Sequence, residues 1–304
     1  MYNYDGLIKK LEEKNLNKTS LAKELSISSK TIAKINRNEK ISNKVLEKIA
    51  NYLNCSIGDL YKKSFDNPIL EILVDEKNNK ISGGLYHELQ IRMTYNSNHI
   101  EGSRLSEEQT RYIFETQTLA NIEDGMPVDD IIETVNHFRA IDYVIDNAEK
   151  ELNEEIIKKL HLILKQGTND SRLSWFMVGD YKTRPNVVGG IETTKPKDVV
   201  NSIQELLNKY DSNEIKTIED IIAFHHDFEC IHPFQDGNGR VGRLIAFKEC
   251  LKFNIIPFII EDSKKYFYYR GLSKWNEEKG YLIDTCLDGQ DAFKKLLDMF
   301  DIKY

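Results

Sequence analysis

The twelve residues from His232 to Arg243, HPFQDGNGRVGR, constrain this 304-residue chain more than any other part of it. Gly237 and Gly239 permit backbone conformations that a Cβ resists, so successive N–H groups are expected to converge on one cluster of oxygens. Val241, Leu244 and Ile245 follow at helical spacing. A helix starting here would turn its free N–H groups and its dipole toward the same anion. Arg240 and Arg243 stand three apart on one face of that helix and offer forked donors suited to phosphate oxygens. Asp236 supplies the one carboxylate that Mg²⁺ commonly takes from a protein when a nucleotide provides the rest. His232 alone in the set has an ordinary pKa suited to a general base near neutrality. The window reads as a polyphosphate site with a base beside it.

His232, Phe234, Asp236, Gly237, Asn238, Gly239, Arg240 and Arg243 also fill every fixed position of H-x-F-x-[DE]-G-N-G-R-x-x-R, and this resembles the signature of Fic domain proteins. The resemblance implies a nucleotide site and transfer of AMP from ATP onto a hydroxyl side chain of a target protein, with Mg²⁺ as cofactor. It makes His232 the base, Asp236 the metal ligand, Asn238 a contact to the α-phosphate, and Arg240 and Arg243 the holders of the distal phosphates. Phe234, Gly237 and Gly239 belong to the same nucleotide-binding loop.

Charge divides the chain. Residues 1–63 carry 13 Lys and Arg against 7 Asp and Glu, while the remainder carries 29 against 42, within a total of −7. A basic head on an acidic body implies different partners for the two parts. The four cysteines, Cys55, Cys230, Cys250 and Cys286, lack paired zinc spacing and read as reduced thiols. With no apolar run of membrane-spanning length and no signal-peptide core, a cytoplasmic protein without a membrane partner is expected.

In chain order, residues 1–63 read as short helices with start signals at Thr19 or Ser20, Ser28, Ser42 and Ser56. Two of them joined by Leu25–Ser28 resemble the Cro/CI-type helix-turn-helix domains. The resemblance implies DNA as a partner, met by Ser29, Lys30, Thr31 and Lys34 on the second helix. Ser26 holds the turn position that is often Gly. Residues 64–82 read as a linker, with Pro68 interrupting and Ile69–Val74 forming a strand or one amphipathic turn.

The region 83–304 is expected to be one all-helical domain carrying a short hairpin, making the whole chain mainly α. Leu85, Leu89 and Met93 trace a helix that stops near Gly102. Its last turn, from Ser97 through Glu101 to Gly102, matches the [ST]-x-x-x-E-[GN] inhibitory motif of regulated Fic proteins. By that resemblance Glu101 pairs with Arg243, taking the place of the γ-phosphate, and the enzyme is autoinhibited. Residues 105–166 read as three amphipathic helices whose His137 and His161 pack or hydrogen-bond. Residues 186–195, with Val187, Val188, Gly189, Gly190 and Ile191 at the centre, read as a hairpin. It occupies the place of the Fic flap, which aligns the target by strand addition.

His225 and His226 lack companion ligands and read as structural. By resemblance the tyrosines of residues 264–270, Tyr269 among them, flank the adenine pocket. Some Fic-like proteins move phosphate or phosphocholine, but Asn238-Gly239 and both arginines favour AMP transfer. Removal of AMP from a modified target, and a transcriptional regulator whose Fic domain senses nucleotide, are the alternatives. Proteins of both families often form dimers, so a homodimer belongs among the expected partners.

Overall fold

The computed structural model describes residues 2–37, 39, 41–63, 67–119, 125–212 and 215–304, excepting the side chains of residues 2, 62, 63 and 191. The chain is mainly α, with fourteen α-helices among the described residues. It divides into two compact units, Met1–Asp66 and Asn67–Tyr304.

In the first unit, β1 (Tyr2–Asn3) pairs antiparallel with β2 (Lys62–Lys63) and so closes the two ends around four helices. These are α1 (Asp5–Glu13), α2 (Lys18–Glu24), α3 (Ser29–Asn36) and α4 (Asn43–Leu53). The start of α2 lies upstream of the residues expected for it. Asn17 is the cap, accepting from the Ser20 N–H at 2.8 Å, while Ser20 Oγ accepts from the Asn17 N–H at 3.0 Å. An Asn with Ser three residues on satisfies two orphan donors at once, which a lone Thr19 does not.

Ser28 caps α3. Between α2 and α3, Ser26 takes the left-handed conformation at φ +49°, a strain of roughly 1–2 kcal/mol for a residue with a Cβ. Leu7, Leu11, Leu21, Ile35, Leu46, Ile49 and Leu53 form the core, with Ile27 and Ile32 packed against it. On α3, Ser29 and Lys30 are exposed, and Thr31 and Lys34 are half-buried.

The expected linker is corrected. Residues 64–66 lie outside the described residues, and Pro68–Asn79 is a helix, α5, with Ile69, Leu70 and Leu73 buried. Pro68 opens this helix rather than interrupting a strand, because at the first position its missing N–H is not needed. Asn67 caps it and donates to the Leu251 carbonyl at 2.8 Å.

The second unit continues with α6 (Leu85–Ile100), α7 (Glu107–Thr116), α8 (Val128–Asp146) and α9 (Glu154–Lys165). After the hairpin β3 (Val187–Val188) and β4 (Ile191–Glu192) come α10 (Val199–Asp211), α11 (Ile218–Ile231), α12 (Asn238–Lys252), α13 (Lys265–Ser273) and α14 (Gly280–Met299). Helix α12 is the axis. It is buried on nearly every face and packs against α6, α8, α9 and α11, so residues at its N-terminus are fixed from several directions.

Candidate active site

His232 caps the C-terminal end of α11 in left-handed geometry, φ +50°, which turns the chain sharply toward α12. Burial pushes its imidazole down to about 4. Lys182 adds to the depression, and the Glu229 carbonyl with the Glu101 and Asp236 carboxylates only partly opposes it. The ring is neutral at pH 7 and able to accept a proton.

The loop after His232 is built from inside. Phe234 is fully buried and stacks on His161 with ring centroids 4.0 Å apart. Asn238 Oδ1 accepts from the Phe234 N–H at 2.8 Å, and its Nδ2 donates to the Phe234 carbonyl at 2.9 Å. The Phe234 ring packs into the core, and the Asn238 amide closes the turn, satisfying buried backbone groups of the loop.

Gly237 precedes α12 in the left-handed region at φ +82°. Gly239 departs from the expected freedom, being an ordinary helical residue of α12. It is needed for space: a Cβ there would lie 2.2 Å from Glu101 Oε1. Gly242 is likewise a clearance, with Glu229 Oε1 and His225 Nδ1 at 2.5 and 2.8 Å from a built Cβ. The Glu229 carboxyl is pushed up to about 8, chiefly by burial.

Arg243 meets the C-terminal end of α6. Its Nη2 donates to Glu101 Oε1 at 2.7 Å and to the Ser97 carbonyl at 2.8 Å, and its Nε donates to Ser97 Oγ at 3.0 Å. The Tyr268 ring lies 5.8 Å from the guanidinium carbon. Gly102, at φ +98°, ends the turn that carries Glu101. Tyr269 is partly exposed and donates its hydroxyl to the Ile100 carbonyl at 2.9 Å, next to Glu101.

Arg240 meets two carboxylates, donating through Nη1 to Glu133 and through Nη2 to Asp236 at 3.3 Å. Lys165 bridges the same pair, 2.5 Å from Glu133 and 2.6 Å from Asp236. Burial raises the Asp236 carboxyl, but Arg240 and Lys165 outweigh it and hold the group well below the usual range. Arg240 Nε and Arg243 Nη1 are buried donors with no acceptor among the described residues. Buried donors of this kind are ordinarily satisfied, so both are available to anionic oxygens.

Asp236 keeps half of its side chain exposed. Among the described residues no group of three or more His, Cys, Asp and Glu could hold a metal alone. One ionised carboxylate beside phosphate donors fits Mg²⁺ carried by a nucleotide, and fits no all-protein metal cage.

The hairpin presents Val187 and Val188 to solvent, with Gly189 and Gly190 at φ +58° and +82° making the tight turn. The Ile191 side chain lies outside the described residues. The hairpin's root is tied to the loop. Lys182, which burial lowers to about 8, donates to Asn186 Oδ1 at 2.7 Å and Thr193 Oγ1 at 2.6 Å, and Asn186 donates to the Phe234 carbonyl at 3.1 Å.

Sequence reasoning overlooked Glu133, Lys165 and Lys182. A signal existed for two of them. Lys165 stands in register with buried Ile157 and His161 at four-residue steps, and Glu133 with His137 and Ile141. A charge on a buried stripe needs a partner.

Residues 151–249 match the model of the Fic/DOC family, and residues 7–66 match that of the Cro/C1-type HTH DNA-binding domain. Among curated proteins the chain is similar to "Protein adenylyltransferase Fic" of Drosophila mojavensis, 28% identical over 221 residues, covering 70% of this chain and 41% of that protein. The protein of the same name from Drosophila willistoni is 27% identical over 221 residues, covering 70% and 42%. The match thus spans about two fifths of these relatives.

Among solved structures it resembles a Fic domain containing signaling protein from Bacteroides thetaiotaomicron, with TM-score 0.60 and 20% identity over 76% of this chain and 95% of that one. Fic-1 from C. elegans gives 0.60 and 18% over 77% and 72%. These two likenesses establish the fold.

Proposed function

We propose, from the premise that this chain carries a Fic domain behind a Cro/C1-type helix-turn-helix domain, that it is an autoinhibited protein adenylyltransferase. It transfers AMP from ATP to a Ser, Thr or Tyr hydroxyl of a target protein or of itself. The observation that carries the reading is the Glu101 carboxylate seated 2.7 Å from Arg243, in a site whose His232 is neutral.

His232 takes the proton of the target hydroxyl as its oxygen attacks the α-phosphorus, and pyrophosphate leaves. The buried donors of Arg240 and Arg243 and the N–H groups opening α12 hold the phosphates and oppose the charge that develops on them. Asp236 would hold Mg²⁺, which when bound neutralises phosphate charge. The hairpin at Val187–Val188 offers backbone groups to an extended target segment. While Glu101 occupies Nη2 of Arg243, the γ-phosphate is denied that donor and meets a carboxylate in its place, and the triphosphate is bent from in-line geometry.

Tyr269 stands beside this site and is assigned to the adenine. The Glu101 carboxylate held at Arg243 supports a second reading, in which it positions water for hydrolytic removal of AMP from a modified target. The helix-turn-helix unit supports DNA as a further partner through Ser29, Lys30, Thr31 and Lys34. Free thiols at Cys55, Cys230, Cys250 and Cys286 agree with a reducing, cytoplasmic setting. Among the described residues no helix is long and apolar enough to cross a membrane.

The experiment is label transfer from ATP labelled at the α-phosphate, with His232→Ala as comparison. Transfer lost in the variant is expected. Transfer unchanged would remove His232 from its role.

A further inference from the structure

The two arginines at the start of α12 are held by different kinds of carboxylate. Glu101 follows the last turn of α6, has 31% of its side chain exposed, and among the described residues makes one ion pair, to Arg243. Glu133 lies within α8, is 15% exposed, and is gripped by two cations, Arg240 and Lys165. Glu101 can leave by swinging one side chain outward. Glu133 cannot leave without taking a carboxylate partner from two buried cations at once and leaving them to share Asp236; Lys165 is 2% and Arg240 5% exposed at the side chain.

Glu133, Lys165, Asp236 and Arg240 form a closed ring of alternating charge drawn from α8, α9, the loop and α12. Asp170 adds a longer contact to Lys165, 3.4 Å, at its edge. With Nη1 on Glu133 and Nη2 on Asp236, the guanidinium plane of Arg240 is fixed by two anchors, and the nitrogen with no partner among the described residues is the buried Nε. Lys165 and Arg240 both engage Oδ2 of Asp236, which fixes the rotation of that carboxylate as well.

We propose that Glu133 is a positioning residue of the phosphate site, acting through Arg240, with Lys165 as the strut that holds Glu133 and Asp236 at their spacing. A preformed donor spends no ordering free energy when the anion arrives. Glu133 therefore promotes nucleotide binding, opposite in sign to Glu101, although both are carboxylates on signature arginines. The inference rests on the nucleotide reading of the site.

The test is calorimetric titration of the full chain with Mg·ADP, which lacks the γ-phosphate and so does not require Glu101 to move. Glu133→Gln keeps the shape and removes the charge, and is expected to weaken binding about tenfold, the scale of one charge-assisted hydrogen bond. The double variant Glu133→Gln, Lys165→Met removes one charge of each sign. It carries the test if the single variant does not fold, and weakening at an unchanged melting temperature is expected of it too.

A merely structural role would lower the melting temperature and leave the affinity of the folded protein unchanged. That result, or binding by the variants as tight as wild type or tighter, would overturn the proposal. A wild-type chain that does not bind Mg·ADP would overturn the nucleotide reading and this inference with it.

Discussion

Arg243 and Glu101 are 142 residues apart in sequence, yet guanidinium and carboxylate meet at 2.7 Å, over a glycine whose Cβ would collide with that carboxylate. The contact needs α6 to end where it does and Gly239 to lack a side chain. Among the described residues Glu101 is bound by a single side-chain donor, and it is partly open to solvent. That combination suits a removable block.

Ser97 contributes one side-chain acceptor to the same arginine, at 3.0 Å, and its carbonyl stays in place when the hydroxyl is removed. Ser97→Ala should therefore relieve inhibition only a few-fold, since a single hydrogen bond of this kind contributes about 1 kcal/mol. Glu101→Gln should relieve it by about ten- to a hundred-fold, on the scale of a bond between charged partners. Initial rates of label transfer rank the two, and equal effects would mean that charge is not what matters.

The pH profile reports on His232. With its free-enzyme value near 4, kcat/KM should be flat from about pH 6 to 8 and fall only near pH 4, well below the ordinary histidine range. Burial is the main cause, and the Lys182 cation adds to it. Lys182→Met should move the acid limb upward, because removing a neighbouring positive charge favours the protonated ring. An acid limb near pH 6.5 in the wild type would contradict this.

Stability should peak near pH 6.5–7. Burial holds His161 and His225 at about 3, His232 at about 4 and His137 well below its ordinary value, so these rings are neutral when folded. Between about pH 4.5 and 6.5 the unfolded chain binds more protons at them, and stability falls as pH drops. The Glu229 carboxyl opposes this, but it is one group against four. Above pH 6.5 Glu229, at about 8, and His226, which Asp227 and Cys230 raise to about 9 against its burial, keep protons in the folded state. Stability then declines as pH rises to about 8, above which Lys182, lowered to about 8 by burial, opposes the trend because the unfolded chain keeps its proton. Melting temperature across pH 4.5–8 checks both slopes.

Lys30 is exposed and Lys34 half-buried on α3. If they meet phosphates, Lys30→Ala and Lys34→Ala should each weaken DNA binding across all sequences and reduce the salt slope by about 1, without affecting label transfer. Fluorescence anisotropy with duplex DNA at several salt concentrations reads both quantities.

Much of this was legible because the pattern is dense and local. The loop from His232 to Arg243 and the turn from Ser97 to Gly102 each compress their chemistry into a few neighbouring residues. Helix α5 was not, because Pro68 signals both an interruption and a first helical turn, and only the Asn67 cap decides between them. The inward packing of Phe234 and the turn-closing amide of Asn238 are not written in the loop's pattern, since both depend on its burial against α9. Glu133 and Lys165 stood on apolar stripes among residues read as core. Their partners Arg240 and Asp236 lie 107 and 71 residues away, a pairing that exists only after the helices have packed.

The most direct test is intact-mass spectrometry of the full chain after incubation with Mg·ATP, comparing wild type, Glu101→Gly, and Glu101→Gly with His232→Ala. A mass gain of one AMP that is small in the wild type, large in Glu101→Gly and lost in the double variant is predicted. Equal gain with and without Glu101, or a gain that survives loss of His232, would contradict the account.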